Sequence, residues 1–217
     1  MIEETAPNLF SLISSNESCN AYLLNGAAPA LIDSGLSSNK KNLAELLSKA
    51  GISFNDIRLI LHTHSHADHW GADSLFPKAE IRMHEAGAKP VNERNDLLTA
   101  NNWFNEEFPK KIKNFLKPNE TISLSPFTLK VLHTPGHTAG GVCFLEQRLG
   151  LLFSGDTLFK GGIGRTDLPS SNAKQLLSSL QLLAKQDFSV LLPGHGELLK
   201  GKEKQKKNIV SLGDVNI

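Results

Sequence analysis

Histidine and carboxylate side chains are concentrated in one short stretch of this 217-residue chain. Residues 63–69 read Thr-His-Ser-His-Ala-Asp-His, directly after an apolar segment. Crowded imidazoles and a carboxylate must be solvated, paired or bound to a metal, because unpaired polar groups are costly to bury. Imidazole binds zinc, iron, manganese or nickel, and carboxylate is a harder companion ligand. A metal site therefore explains this density better than a solvated loop does. Its candidate ligands are His64, His66, Asp68 and His69.

Three later segments place a histidine or an aspartate shortly after an apolar stretch, with a glycine beside it. They are Pro135-Gly136-His137, Ser154-Gly155-Asp156 and Pro193-Gly194-His195. Glycine lets the backbone approach its neighbours closely. If all four strand ends converge at one edge of a sandwich, five histidines and two aspartates meet there. A catalytic zinc takes three protein ligands and a water. Seven ligands therefore suit two metal ions that share a bridge.

These motifs resemble the metallo-β-lactamase superfamily, whose signature is His-x-His-x-Asp-His followed by a later His, Asp and His. The similarity runs from residues 31–35 to residues 194–196. The resemblance implies an α/β fold, the four-layer αββα metallo-β-lactamase sandwich, as a single domain over 1–217. It also implies a distribution of ligands: His64, His66 and His137 on the first metal, Asp68, His69 and His195 on the second, and Asp156 bridging both.

The resemblance further implies hydrolysis with two divalent metal ions as cofactors, zinc in the first place, with iron or manganese as alternatives. A bound metal lowers the pKa of its water toward ~7. The metal-bound hydroxide then attacks a carbonyl carbon. Asp68 is the expected catalytic residue, because besides ligating a metal it could orient the hydroxide or shuttle its proton. The sequence contains neither a Gly-x-Ser-x-Gly elbow nor a phosphate-cradling loop, so no competing nucleophile is indicated.

Residues 155–169 narrow the substrate. They are similar to glyoxalase II-like hydrolases, which cleave the thioester of S-lactoylglutathione. Arg165 keeps the cation that those enzymes place near the glutathione, and is the expected substrate-binding residue. The tyrosine that often follows is absent, with Asp167 near its place, and no long helical C-terminal domain follows His195. We therefore expect a short glyoxalase II-like enzyme acting on S-lactoylglutathione or a related acyl thioester, with a different thiol carrier as an open alternative.

Other functions remain open at this level. Persulfide dioxygenases resemble the chain at 63–69 and 164–167, and use one iron at positions that match His64, His137 and Asp156. Their last histidine usually lies in Pro-Ala-His-Asp, whereas here it lies in Pro-Gly-His-Gly, which favours the hydrolase. Hydrolysis of a β-lactam or a lactone is a weaker alternative. A non-enzymatic metal-binding regulator is disfavoured because every ligand position is filled.

The elements that must position these residues are short. Apolar runs predict strands at 8–13, 20–24, 30–32, 57–61, 79–83, 121–123, 128–133, 142–145, 151–153 and 190–192. Leucines at helical spacing predict helices over 39–50 and 173–185. A basic helix is predicted from residue 200, within a terminal segment 200–217. Aromatic and aliphatic residues among lysines predict a helical insert of two short amphipathic helices over 93–119. This insert is either a packed surface pair or a lid over the site.

Composition excludes several partners. The net charge of +1 gives no field that favours nucleic acid or anionic membranes. The acidic N-terminus is unlike a signal peptide, and no apolar run reaches the length of a membrane span. We expect a cytoplasmic protein with reduced Cys19 and Cys143, a small-molecule substrate and an oligomeric state left open. We expect His62, His84 and His133 to be buried or supporting groups and not metal ligands. Asp33 either hydrogen-bonds the ligand loops or serves a turn.

Overall fold

The computed structural model describes residues 1–212, which contain two large β-sheets. The first sheet has seven strands in chain order: β1 (Ile2–Ala6), β2 (Leu9–Leu12), β3 (Ala21–Leu24), β4 (Ala30–Ile32), β5 (Leu59–Leu61), β6 (Glu80–His84) and β7 (Asn114–Leu116). Strands β1 to β4 pair antiparallel with their neighbours. Strands β4 to β7 run parallel, so their carboxyl ends lie at the same edge.

The second sheet is built from the later part of the chain. Its strands and a small hairpin follow in sequence as β8 (Thr121–Leu124), β9 (Phe127–His133), β10 (Val142–Glu146), β11 (Leu151–Gly155), the hairpin β12 (Leu158–Phe159) and β13 (Gly162–Ile163), β14 (Val190–Pro193) and β15 (Leu199–Lys200). The spatial order is β15-β14-β11-β10-β9-β8. Strands β11 and β14 are parallel, and the other pairs in this sheet are antiparallel, so β9, β11 and β14 all run in the same direction.

Within residues 1–212, six α-helices accompany the sheets: α1 (Lys40–Lys49), α2 (Ala67–Trp70), α3 (Glu85–Asn92), α4 (Asn101–Phe104), α5 (Ala173–Ala184) and α6 (Lys202–Val210). Leucines of α1 pack on the outer face of the first sheet, against residues such as Leu31 and Ile60. Leucines of α5 and Ile209 of α6 pack on the outer face of the second sheet. The predicted four-layer αββα arrangement is thereby confirmed.

The main core lies between the sheets. Inward-facing side chains of the first sheet, such as Leu24 and Leu61, meet Phe127, Phe144 and Phe153 of the second. The sequence of strand β9 alternates in the way that a sheet with one buried face requires: Phe127, Leu129 and Val131 are buried, and the intervening Thr128 and Lys130 are exposed. Each fully buried large apolar side chain contributes about 1.5–3 kcal/mol to stability. This core fixes the two sheets relative to each other, and so fixes the loops at their shared edge.

The predicted helices at 39–50 and 173–185 are confirmed in α1 and α5. Helix α1 buries Leu43, Leu46 and Leu47, and ends before Gly51, whose φ of 72° suits glycine. Helix α6 confirms the basic terminal helix, with its lysines exposed and Gln205, Asn208 and Ile209 buried. Residues 213–217 of the predicted 200–217 segment lie outside the described residues.

The prediction of two helices over 93–119 is wrong. Only Asn101–Phe104 is helical, and Asn114–Leu116 forms the edge strand β7. The apolar residues of this segment do not form a helical stripe. Phe104, Phe108, Ile112 and Phe115 join one cluster with Trp70 and Val91, whereas Leu97 and Trp103 are exposed. The Phe108 ring stacks on Trp70 with 5.1 Å between centroids. The main chain of Ile112 donates to the side chain of Asn92 at 2.8 Å. No helix within residues 1–212 is long and apolar enough to cross a membrane.

A pair of stacked imidazoles connects the two sheets beside the functional edge. His84 ends β6 and His133 ends β9, and their rings lie 4.2 Å apart at an angle of 7°. His84 Nδ1 accepts a hydrogen bond from the main chain of Ala86 at 3.3 Å and so caps α3. Burial, and then the neighbouring His133, lower the pKa of His84. The neutral form of His84 is therefore favoured.

We predict that this pair makes the fold sensitive to acid. Because the pKa of His84 is lowered in the folded state, the unfolded chain binds more protons once the pH falls below about 6.5. Stability is therefore lost as the pH falls through that value. His84→Asn keeps a capping acceptor but does not titrate, so its urea midpoint should fall less than that of the wild type between about pH 8 and about pH 5. Equal acid sensitivity in the two proteins would contradict this.

Candidate metal centre

The ligand-type residues leave the two sheets at one edge. Asp33 follows β4, and residues 62–69 follow β5, at the carboxyl ends of parallel strands. His137, Asp156 and His195 follow β9, β11 and β14, which run in the same direction. The structure therefore brings together all seven metal ligands that the sequence predicts.

Three histidines form the first cluster. One ligand nitrogen from each of His64, His66 and His137 lies within 4.8 Å of the others. His66 Nδ1 and His137 Nε2 approach to 3.0 Å. All three side chains are nearly inaccessible to solvent. Burial, and then the neighbouring His69, lower the pKa of His64. Burial, and then His137, lower the pKa of His66 to about 3. Both imidazoles are therefore neutral, as metal ligation requires.

The second cluster combines a carboxylate with two imidazoles. Ligand atoms of Asp68, His69 and His195 lie within 4.8 Å of one another. Asp68 Oδ2 is 2.9 Å from His195 Nε2 and 3.6 Å from His69 Nε2. Asp68 and His69 lie on α2, whose first turn follows His66 immediately. His195 is the most open member, with 34% of its side chain exposed, so the second cluster faces solvent on that side.

Asp156 lies between the two clusters. Its Oδ1 is 3.4 Å from His69 Nε2, and its Oδ2 is 3.5 Å from His137 Nε2 and 3.7 Å from His195 Nε2. One carboxylate thus faces members of both groups. This is the position that a bridging ligand between two metal ions would occupy.

Unpaired buried atoms test whether metal ions fit. Among the residues that the structure describes, His64 Nε2, His69 Nε2 and Asp156 Oδ1 are buried without a hydrogen-bond partner. Leaving such an atom unsatisfied costs about 1–3 kcal/mol. All three face the interior of the clusters, and imidazole nitrogens with carboxylate oxygens suit zinc, iron or manganese. The donor set therefore fits divalent metal ions.

Two glycines let the loops approach this centre. A Cβ atom on Gly194 would lie 2.2 Å from Asp156 Oδ1 and 2.8 Å from His69 Cε1. A Cβ atom on Gly164 would lie 2.0 Å from the main-chain oxygen of Asp156. Any larger residue at either position would displace a ligand. The close-approach role that the sequence indicates for glycine applies here at Gly194.

Asp33 supports the ligand loop from below. Its carboxylate accepts hydrogen bonds from His69 Nδ1 at 2.8 Å and from both the main chain and the hydroxyl of Thr63, at 2.9 and 2.7 Å. The φ of Asp33 is 54°, so the residue also serves the turn after β4. Both interpretations that the sequence allowed are therefore correct. Burial opposes the charge of Asp33, but His69 and His62 lower its pKa to about 2.

His62 supports the site and is not a ligand. Its Nδ1 faces Asp33 at 3.3 Å, and its Nε2 faces Asp73 at 2.9 Å. Burial opposes protonation, but Asp73 and Asp33 outweigh it and raise the pKa of His62 to about 9. The imidazolium thus compensates the buried carboxylates. Asp73 was missed in the sequence, where no ligand motif surrounds it.

The loop of His195 is held by residues from the first sheet that the sequence did not single out. The hydroxyl of Tyr22 donates to the main-chain oxygen of Pro193 at 2.6 Å. The amide of Asn20 donates to the same oxygen and to that of Gly196, each at 3.0 Å. A Tyr–Asn pair on a strand carries no sequence signal for this role, because its partners are far away in the chain.

Cys19 also lies near the centre, behind His69. Ligand atoms of Cys19, Asp33 and His69 are within 4.8 Å of one another. In this group the Nδ1 of His69 is already engaged by Asp33, so the group packs behind the ligand and does not form a separate metal site. Burial raises the pKa of the Cys19 thiol to about 12, which keeps it protonated.

Arg165 lies at the protein surface beside the first cluster. The exposed surface around Arg165 and His195 is called the mouth of the centre. The main-chain oxygen of Arg165 accepts a hydrogen bond from His137 Nδ1 at 3.0 Å. Its guanidinium is exposed, forms an ion pair with Asp167 at 2.7 Å, and lies 5.7 Å from the centroid of the Trp103 ring. A groove of about 540 Å³ runs beside His195, between the turn at Phe159 and Gly161 and the turn at Gly196. The residue predicted to bind substrate is thus placed next to a ligand of the first cluster.

Known proteins are similar to this chain in sequence. The model of the metallo-beta-lactamase superfamily matches residues 15–195. A probable metallo-hydrolase of Methanocaldococcus jannaschii is 34% identical over 190 residues, covering 83% of this chain and 89% of that protein. The hydroxyacylglutathione hydrolase GloC of Haemophilus influenzae is 31% identical over 172 residues, covering 69% of this chain and 74% of that protein.

A solved structure is similar as well. The protein TTHA1623, in a di-iron-bound form, superposes with a TM-score of 0.74 at 29% identity, covering 91% of this chain and 96% of that one. His/Asp clusters in this fold imply binding of divalent metal ions.

We predict about two divalent ions per chain in protein purified without added metal. His66→Ala removes one nitrogen from the first cluster and should lower the content by about one ion. His133→Ala is the matched control, because it removes a strand-end histidine outside both clusters. Elemental analysis measures all three proteins. An unchanged metal content in His66→Ala would show that this cluster does not bind a metal.

We predict that Asp33 tunes metal affinity through His69. Asp33→Asn preserves the shape of the side chain but removes the charge that orients and polarises the imidazole, so affinity should fall about 10–100-fold. Competition with a chromophoric chelator measures the change. Asp187→Asn, at an exposed aspartate paired with Lys202, is the control and should leave affinity unchanged. Equal affinities in all three proteins would remove this role from Asp33.

Proposed function

The chain belongs to the metallo-beta-lactamase superfamily, and from this premise we propose that it is a thioesterase of the glyoxalase II type. The proposed reaction is hydrolysis of S-lactoylglutathione or a related small acyl thioester. The observation that carries the proposal is the pair of ligand clusters that share Asp156 beside an open mouth. Membership of this superfamily supports metal-dependent hydrolysis in general. The hydroxyacylglutathione hydrolase relative supports the thioester.

The residues that would hold the metals follow from the geometry. The first cluster would hold one ion and the second cluster another, with the Asp156 carboxylate shared between them. When bound, such ions supply Lewis acidity and lower the pKa of a coordinated water toward ~7. We infer zinc as the metal, with iron and manganese as alternatives that the same ligands accept. Since TTHA1623 was solved in a di-iron-bound form, iron must be measured alongside zinc.

Asp68 is the proposed catalytic carboxylate. It lies in the first turn of the short helix α2, and its Oδ2 is 2.9 Å from His195 Nε2, at the open side of the centre. In this position the carboxylate can orient the attacking water and accept its proton. His195 holds the carboxylate in place. General acid–base groups typically contribute about 10²–10⁴-fold to a rate.

Arg165 is the proposed substrate-binding residue. Its guanidinium projects into solvent at the mouth, while its main chain is fixed to His137. A thioester carbonyl placed between the clusters would leave the rest of the substrate along this rim. The net charge of +1 favours a small-molecule substrate over nucleic acid.

The proposal is tested by metal analysis and activity on one sample. We expect S-lactoylglutathione hydrolysis that chelation abolishes and a divalent ion restores, at about two ions per chain. Binding and turnover of a cephalosporin are measured in parallel, because β-lactam hydrolysis is the weaker alternative. A content of about one iron, with oxygen uptake on glutathione persulfide, would move the assignment to a dioxygenase.

We predict that Asp68→Ala lowers kcat/KM for the thioester by at least about 10²-fold. The fold should persist, because the substitution keeps the main chain of the short helix α2 and the hydrogen bond from the main chain of Cys19 to the main-chain oxygen of Asp68. Circular dichroism and thermal unfolding check the fold, and Asp187→Ala provides an exposed-aspartate control. If Asp68→Ala retained its activity, the catalytic role would belong to another group.

A further inference from the structure

The 93–119 segment is bonded directly to the loop that carries the metal ligands. The main chain of Ala67, between His66 and Asp68, donates to the main-chain oxygen of Thr99 at 2.9 Å. The side chain of Asn101 closes the next turn by bonding both main-chain groups of Glu106, at 2.8 and 3.1 Å. Thr99 and Asn101 are buried. The segment therefore has a defined position relative to the metal centre.

This anchoring presents Trp103 at the mouth. The indole is 56% exposed, although tryptophan is usually buried. One face of its ring lies against the guanidinium of Arg165, 5.7 Å from the ring centroid. Since Arg165 is fixed by its main chain to His137, Trp103 and Arg165 together form a wall beside the first cluster. Ile163, 37% exposed in β13, adds apolar surface two residues before Arg165.

The charges on this rim are already paired within the chain. Asp167 accepts from Arg165 Nε at 2.9 Å and from Nη2 at 2.7 Å, which occupies the side of the guanidinium that would grip a substrate carboxylate. Lys160, at the other end of the β12–β13 hairpin, forms an ion pair with Glu197. A carrier carboxylate that pairs with the same side of Arg165, or with Lys160, must displace Asp167 or Glu197. An uncharged carrier meets the open indole without that cost.

Resting on the thioesterase activity proposed above, we propose that Trp103 is a specificity-determining residue that selects thioesters whose thiol carrier is uncharged. The indole supplies a flat apolar surface for the carrier arm next to the sulfur. Arg165 orients the indole, and Asp167 withholds the guanidinium from carboxylates. Glutathione, which carries two carboxylates, is then a substrate of lower affinity than a neutral thiol of similar length.

Two lactoyl thioesters that differ only in the carrier test this assignment. For the N-acetylcysteamine thioester, Trp103→Ala should raise KM about tenfold with little change in kcat, equivalent to about 1.4 kcal/mol of binding free energy. For the glutathione thioester, KM should change far less. Trp103→Phe keeps an aromatic face and should restore most of the affinity. Leu97→Ala, which removes another exposed apolar side chain of the same segment, is the matched control.

A substitution at Asp167 should change KM for the glutathione thioester and leave KM for the uncharged carrier unchanged. Asp167→Asn frees the guanidinium of Arg165, so KM for the glutathione thioester should fall roughly two- to fivefold, the range of an exposed ion pair. KM for the N-acetylcysteamine thioester should stay the same. Equal effects of Trp103→Ala on both carriers, or no effect on either, would overturn the selection by Trp103.

A binding measurement separates this inference from the proposed activity. The chain has two tryptophans, and Trp70 is fully buried, so acrylamide quenches mainly Trp103. S-methyl-N-acetylcysteamine should protect this emission at lower concentration than S-methylglutathione does, and Trp103→Phe should abolish the protected signal. Protection without turnover of any thioester would overturn the thioesterase proposal and leave carrier recognition standing. Turnover without selective protection would overturn the inference alone.

Discussion

One buried carboxylate holds the metal-binding loop in its shape. Asp33 accepts hydrogen bonds from Thr63 and His69, and it faces the imidazolium of His62. Without it, several buried donors would lose their partner, at about 1–3 kcal/mol each. Because Asp33 engages the Nδ1 of His69, the Nε2 of that ring is directed to Asp68 and Asp156. The orientation of the ligand side chains is therefore set by Asp33, a residue that is not itself a ligand.

The second requirement is that the two sheets keep their relative position. His64, His66, Asp68 and His69 come from the first sheet, and the other three ligands come from the second. The phenylalanine-rich core packs the two sheets against each other. Tyr22 and Asn20 fix their relative position, because they donate hydrogen bonds to main-chain oxygens beside His195. Such hydrogen bonds align the two halves more strictly than apolar packing can.

The sequence was sufficient to predict that these seven side chains meet at one edge, because each one follows a strand end that the local pattern reveals. The strands and leucine-rich helices were predictable for the same reason, since their periodicity is local. Asn20 and Tyr22 were not predictable, because their partners lie far away in the chain, and Asp73 was missed because no ligand motif surrounds it. The prediction of helices over 93–119 was wrong for a related reason. Phe104, Phe108 and Phe115 pack into a cluster with residues of α2 and α3, and their spacing in the sequence does not reveal these contacts. Helix α3 was missed because Gly87 and Pro90 lower its propensity.

The bond between Thr99 and Ala67 joins main-chain atoms only. It places no demand on the side chains of the residues around it, so the wall of the mouth can change its composition while the metal ligands stay untouched. With Trp103 selecting the substrate as proposed above, chemistry and selectivity lie in separately mutable parts of the chain. Descendants of such a protein could acquire new substrates by drift in the 93–119 segment, with the hydrolytic centre inherited intact.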